Sequence, residues 1–349
     1  MKRVLVAALV LLLAPMLVVA QQTITTFENL ESDIESFADG VASSLPLNAS
    51  VGLNWSDAYI GQFPHLGVGV TLGASTVPFE AARFALDAME LTETVTSDPN
   101  FAYIEQYGVP LPAYTAEARL GGLIIPFDLG VKVGILPPDF QLESILPGFS
   151  LDYMNLGFDV RLPIVEERGL IPELSIGGGY NYLRANVGIN GLLEDGIQIQ
   201  SFEDPRPDVN ETYNIEMTNP TANFQWSANV IDLKAQVSKG LLLFRPYLGV
   251  GASIGFGSAG AGYESEVTGI SEQQIDEISA WAESQGFESP LPELSDSSFY
   301  VNAPMTGGWA FRAYGGLSIN LLILKIDVTG MYDFLGNNYG LTLGARVQL

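Results

Sequence analysis

The sequence predicts an all-β, membrane-spanning antiparallel up-and-down β-barrel of about twelve strands, with ten to fourteen allowed. Three observations carry this. The chain opens with a segment patterned for export, and no later stretch holds the ~18 consecutive apolar residues of a helical span. Its composition is membrane-like without being helical: 47% hydrophobic residues, 37 Gly and only 16% charged residues in 349. Period-two alternation of apolar and polar residues then recurs from Leu47 to Leu349. A bilayer core offers backbone groups no water, so a chain without spanning helices must pair them between the strands of a closed barrel.

Taken in order, Lys2 and Arg3 precede the unbroken apolar run Val4 to Leu13, and Val18-Val19-Ala20 places suitable residues before a cut at Gln21. Residues 1–20 are therefore expected to be a cleaved signal peptide, too short to stay as a spanning helix. Residues 21–46 form an N-terminal helical segment, because Phe27, Leu30, Ile34, Phe37, Ala38 and Val41 recur at helix spacing within Thr26 to Ser44. This segment is a candidate plug. It carries the acids Glu28, Glu31, Asp33, Glu35 and Asp39 and no base.

The barrel is expected to occupy residues 47–349. Its first strand is read at Leu47 to Trp55, where odd positions are apolar and even ones small or polar. Further strands begin near Leu66, Tyr114, Phe127, Met154, Leu174, Phe224, Leu248, Trp309, Leu322 and Tyr339. At Val230 the apolar phase shifts from Phe224, Trp226, Ala228 and Val230 to Ile231, Leu233, Ala235 and Val237, which predicts a β-bulge. Eleven strands result. Bacterial barrels are usually even, so either a weak strand near Gly188 to Ser201 is missing or one of the eleven does not span. Trp55, Tyr114, Phe127, Trp226, Phe244, Trp309 and Tyr339 are read as interfacial girdles. Short links near Ile124 to Pro126, Val165 to Gly169, Lys239-Gly240 and Asn320 fall at one end, expected to be periplasmic. Long links at Val77 to Pro112, Arg184 to Thr221 and Ser258 to Gly307 fall at the other. Two of these carry helical patterns, at Phe79 to Leu91 and after the capping-box pair Ser271 and Gln274.

Eight bases fall on polar strand faces: Arg119, Lys132, Arg161, Lys234, Arg245, Arg312, Lys325 and Arg346. The same faces carry Glu117, Asp128, Asp159, Glu173, Asp232 and Asp327. These fourteen are the predicted lumen-facing charges, and their near balance points to cross-strand pairs rather than a selectivity ring of one sign. The net charge of −25 disfavours nucleic acid as a partner, since a phosphate backbone needs clustered bases. With no Cys, disulfides contribute nothing.

Catalysis is not expected. A base-assisted hydrolase commonly needs His, and the single His65 stands beside Pro64 without a suitably spaced Ser or carboxylate pair. Gly177 to Gly179 and Gly249 to Gly257 lack a phosphate-loop Lys. The loop acids Glu194, Asp195, Glu203, Asp204, Asp208 and Glu211 lack EF-hand spacing and read as a solvated acidic loop. No cofactor and no metal is expected.

Several stretches resemble an uncharacterised family of bacterial outer-membrane barrel proteins: Gly52-Leu53-Asn54-Trp55, Pro64 to Val70, Arg119-Leu120-Gly121-Gly122 and Pro126 to Gly130. More distantly, the chain resembles FadL-type outer-membrane transporters of hydrophobic solutes, which also set an N-terminal segment before the first strand. The resemblance implies an outer-membrane location, and with it outer-membrane lipid as surroundings. The alternating C-terminal strand ending on Leu349 is similar to the signal read by barrel-assembly machinery. The expected function is a porin-like channel or transporter for an unknown solute, its N-terminal helix docked in the barrel. The alternative is a structural or surface-interaction barrel with a filled lumen and functional acidic loops.

Overall fold

The computed structural model describes residues 40–80, 83, 102–122, 124–135, 149–190, 197–206, 209, 212–286 and 298–349. Eleven strands form one antiparallel sheet: β1 (Leu66–Val77), β2 (Val109–Gly121), β3 (Asp128–Ile135), β4 (Phe149–Val165), β5 (Glu173–Asn190), β6 (Ile197–Glu203), β7 (Thr212–Ser238), β8 (Phe244–Thr268), β9 (Ser298–Leu321), β10 (Leu324–Asp333) and β11 (Asn338–Gln348). Each neighbour in sequence is a neighbour in space, except that β5 pairs with β7 and β6 extends the same edge of β7. The ring closes where β11 meets β1, with Val68 opposite Val347 and Leu72 opposite Leu343.

The wall is therefore ten strands, not twelve. β6 does not span: it pairs with Thr212 to Met217 of β7, beyond the point where β5 ends its ladder at Asn190 and Thr221. The eleventh strand of the sequence reading, Leu47 to Trp55, is not in the wall at all. Residues 40–49 are helical (α1), and an irregular descent follows to the start of β1 at Leu66. The alternation there is real, but every residue from Leu47 to Trp55 is buried, so it has no lipid face to mark. The wall begins at Leu66 rather than at residue 47. The predicted helix at Thr26 to Ser44 lies outside the described residues up to 39; residues 40–49 are helical, so the helix ends five residues beyond the expected Ser44.

The expected bulge near Val230 is absent. Through this stretch β7 keeps register with β5 and β8 residue by residue, and even-numbered side chains face inward throughout from Phe224 to Ser238. What changes at Val230 is the chemistry of the two faces. Below it Ile231, Leu233, Ala235 and Val237 point outward while Asp232, Lys234, Gln236 and Ser238 point in. Above it Asn229, Ser227 and Gln225 point outward while Val230, Ala228, Trp226 and Phe224 point in. Neighbouring strands switch at the same level. On β5 the inward Leu183 and Ala185 are buried and Arg184 is exposed; on β4 Tyr153 is buried and Asp152 exposed.

Two chambers follow from this. The lower wall is apolar outside and ionic inside, as a bilayer demands. The upper wall is polar outside with an apolar interior, as a water-soluble β-sheet demands. Trp55 and Trp226, read as girdle residues, are both inside, 4% and 6% exposed. Trp309 and Phe311 do face outward near the switch, stacked with centroids 6.4 Å apart.

Short turns join β2–β3, β4–β5, β7–β8 and β9–β10 at the lower end, where β1 begins and β11 ends. Among the described residues two further helices stand at the upper end, α2 (Ala102–Tyr107) and α3 (Glu272–Gln285). Of the helix expected from Phe79 to Leu91, Phe79, Glu80 and Arg83 are helical, and the rest lies outside the described residues. Ser271 caps α3 through the predicted capping box with Gln274, and Gly286 ends it in the left-handed conformation. Ile278 and Ala282 form its buried stripe.

Candidate functional site

The lumen is filled by the chain's own residues 40–65. Leu47 and Val51 pack with Ala113, Tyr247, Tyr314 and Met331 at the junction of the chambers. Asn48 donates to Ser75 Oγ at 2.9 Å. Below, the segment loses regular hydrogen bonding, and wall side chains supply what its backbone lacks. Lys132 Nζ donates to the carbonyls of Ala49 and Val51 at 2.5 and 2.6 Å, a cation at the C-terminal end of α1 where the helix dipole favours one. Arg119 and Lys234 both donate to Leu53 O, at 3.2 and 3.1 Å. Gln236 donates to Trp55 O, Arg161 to Asp57 O, and Asp128 accepts from Ile60 N. Backbone polar groups of an irregular segment inside the barrel are thus satisfied by inward side chains of the strands.

Three side chains of the segment matter most. Trp55 donates through Nε1 to Glu117 Oε2 at 2.5 Å, and the guanidinium groups of Arg346 and Arg119 lie 4.8 and 5.6 Å from its ring centre. Asp57 contacts three wall cations: Arg346 and Lys325 at 2.8 Å and Arg245 at 3.1 Å. Ser56 accepts from Arg346 at 2.8 Å.

All fourteen charged positions predicted for the lumen lie on inward-facing strand positions, and the structure sorts them into clusters. Arg119 bridges Asp128 and Asp159; Arg161 also holds Asp128 at 2.8 Å, and Lys234 holds Asp159 at 2.6 Å. Arg312 pairs with Asp232 at 2.7 Å and lies over the Tyr314 ring. Arg346 also pairs with Asp327, while Arg245 reaches Glu173 at 3.5 Å and Glu167 at 3.2 Å. Lys132 and Glu117 act on the lumen segment as described. Sequence reasoning missed Asp57 and Trp55, the segment's own contributions. An acid two residues past Trp55, just beyond the alternating stretch, gave no signal of facing three wall cations.

Inward glycines make room for these groups. A Cβ on Gly67 would meet the Trp55 ring at 2.5 Å, and one on Gly249 the Tyr314 ring at 2.3 Å. Gly130 lies beneath the Arg119–Asp159 pair, with Asp159 Oδ1 2.5 Å from a built Cβ.

A cavity of about 10 Å³ lies between the segment and β1, β10 and β11, bordered by Asn54, Thr71, Asp327 and Arg346. The larger concavity, about 650 Å³, is on the outside of the wall, where Gly178, Ala235 and Ala252 are flanked by Leu162, Leu233 and Phe311. The ladders of β4, β5, β7 and β8 run unbroken behind it, so it is a groove and not an opening.

At the upper end, Arg206 clamps Asp204 at 2.7 Å and Glu277 of α3 at 2.9 Å, and Tyr213 donates to Asp204. These hydrogen bonds from Arg206 hold the carboxyls of Asp204 and Glu277 below their ordinary range. His65 is exposed at the lower rim, its ring against Gln62 O. Among the described residues no group of three or more His, Asp and Glu could hold a metal ion.

The fold and lumen define the protein as a plugged ten-stranded antiparallel barrel. Residues 138–349 match the Lsa36-like family, and the chain belongs to that family. No curated protein matches it. Among solved structures it is similar to the translocator domain of autotransporter NalP from Neisseria meningitidis, at 10% identity and a TM-score of 0.31, covering 90% of this chain and 99% of that one. It is also similar to the toluene transporter TbuX of Ralstonia pickettii, at 9% identity and a TM-score of 0.24, covering 81% and 88%.

Proposed function

We propose that the protein is an outer-membrane barrel of the channel or transporter class, held closed by residues 40–65. The outward apolar surface of the lower chamber supports a bilayer setting, and the export pattern of residues 1–20 supports delivery to an outer membrane. The observation that carries the closed state is the triple contact of Asp57 with Arg245, Lys325 and Arg346. Below the packing of Leu47 and Val51, the stretch from Leu53 to Ile60 is held mainly by ion pairs and single hydrogen bonds, contacts that have hydrated equivalents and that water can release. A permanent filler would be served as well by apolar packing. Passage through the lumen therefore requires the segment to shift. The solute is set by whatever the freed wall of alternating Arg, Lys, Asp and Glu admits. The unbroken ladders behind the outer groove argue against a sideways exit there. The reading includes no catalytic step.

A second reading, a structural or surface-presenting barrel, draws on the upper chamber. Its buried Phe224, Trp226, Leu183 and Val230 give the extramembrane wall a soluble-type core beneath its loops. Planar-bilayer recordings of the purified protein separate the two. The wild type should be closed or nearly so, and Asp57→Asn should open in bursts. A variant as silent as the parent, although folded, would favour the second reading.

A further inference from the structure

All four short turns at the lower end carry an aliphatic residue at the tip with almost its whole surface exposed: Ile124 91%, Leu170 97%, Leu242 102% and Leu322 98%. Turn tips facing water normally carry Gly, Asn or Asp. Leu242 and Leu322 depart further, since both hold positive φ, 56° and 57°. That backbone region is disfavoured for a side chain with a Cβ, and Gly or Asn would relieve it. Two turns thus place Leu where both solvent and backbone would prefer another residue.

The height of the apolar belt supplies the reason on β7 and β10, whereas on β8 and β9 the outward runs Phe244 to Phe256 and Trp309 to Leu321 reach about 30 Å without the tips. With about 3.3 Å per residue and a tilt of about 40°, the outward run of β7 from Ile231 to Val237 rises only about 15 Å. On β10, Leu324 to Tyr332 rises about 20 Å by the same measure. Membrane barrels show an apolar band of about 25 Å. Counting to the tips, Ile231 to Leu242 gives about 28 Å and Leu322 to Tyr332 about 25 Å. At the β9–β10 turn the apolar surface runs into the tip without a polar break, through Leu321, Leu322, Ile323 and Leu324, whereas Lys239 precedes the Leu242 tip and Glu166 and Arg168 precede Leu170.

We propose that the lower rim is a lipid-binding surface: the four turn tips insert into the acyl boundary of the inner leaflet and extend the belt where β7 and β10 leave it short. This rests on the membrane reading above and deepens it. The barrel then has no water-exposed lower vestibule formed by its turns, and its lower mouth opens at the level of the lipid.

The test uses the absence of Cys in the chain. Single variants Leu242→Cys, Leu322→Cys and Ile124→Cys carry a small fluorophore, with Leu233→Cys in mid-belt as reference. The full-length protein is reconstituted in phosphatidylcholine vesicles, and folding is checked by heat-modifiable migration. Bromines on the acyl chains and iodide in the buffer serve as the two quenchers. The tips should be quenched at least threefold more by brominated lipid than by iodide, as at Leu233. Tips quenched by iodide while Leu233 is quenched by lipid would overturn the proposal and leave the membrane reading intact. Tips shielded from both quenchers would also overturn it, since a protein contact would then cover them. If Leu233 itself escapes the lipid quencher, the membrane reading fails and takes the rim with it.

Discussion

Asp57, in the lumen segment, lies 2.8 Å from the guanidinium of Arg346, a residue 289 positions later on the strand that closes the barrel. The same carboxylate meets Lys325 on β10 and Arg245 on β8. The residues just before the first strand are thus fastened to three of the later ones.

Asp57→Ala should destabilise the folded barrel by an amount near the lower end of about 3–5 kcal/mol, the range for breaking a buried pair. The lower end applies because the Lys325 and Arg245 side chains keep 13% and 18% exposure and can partly hydrate. Urea titration in lipid vesicles reads the loss. An unchanged midpoint would mean that the contacts hold nothing in place.

Trp55 separates two contributions. Trp55→Phe keeps a ring beside Arg346 but removes the donor to Glu117, and should cost about 1.5–3 kcal/mol, as for a hydrogen bond to a charged group. Trp55→Ala removes the ring too and should cost about 3–5 kcal/mol. Equal losses in the same titration would show that the ring contributes little.

On β3 both faces are intolerant, for different reasons. Val131→Arg places a charge on the apolar belt and should cost about 2–4 kcal/mol near the midplane. The alternation alone makes the inward neighbour Gly130 look permissive, yet a Cβ there meets Asp159 and Arg119 at 2.5 and 2.7 Å. Gly130→Ser should therefore also lower folding yield markedly. A Gly130→Ser barrel as stable as the parent would show that the ion pair can move aside.

The upper clamp gives a pH dependence. Arg206 lowers the folded pKa of Asp204 and of Glu277, so their stabilisation is complete above the unfolded carboxylate range and is lost as pH falls through the folded values. Proteolysis or hydrogen exchange around α3 should be constant from neutral pH to about pH 5 and quicken below about pH 4. Asp204→Asn should give the faster rate already at neutral pH. A rate that stays flat down to pH 3 would mean the clamp does not hold α3.

Most of the wall was legible because its apolar outer face and ionic inner face impose opposite demands on successive residues. The runs at Phe127 to Ile135 and Met154 to Leu162 show it, as do Asp128, Lys132, Asp159 and Arg161 on their inner faces. Legibility ended where that contrast ended. Between Leu47 and Trp55 all sides are enclosed, so alternation carried no topological meaning and added a strand. At Val230 the outward face changes from apolar to polar and the inward face from polar to apolar, and an uninterrupted strand looked like a shift of register. Asp57 was invisible because its importance comes from partners on β8, β10 and β11, which only the closure of the ring brings together.

The lumen segment is continuous with β1 at Gly61 to His65, and this makes it a ligand that cannot diffuse away. A released segment would remain anchored by its lower end, at a local concentration in the millimolar range or above. Reclosure is then unimolecular and fast, so openings should be brief whatever the dilution of the protein. A free peptide spanning residues 40–65 would have to reach a comparable concentration to reseal a barrel from which that stretch had been cut.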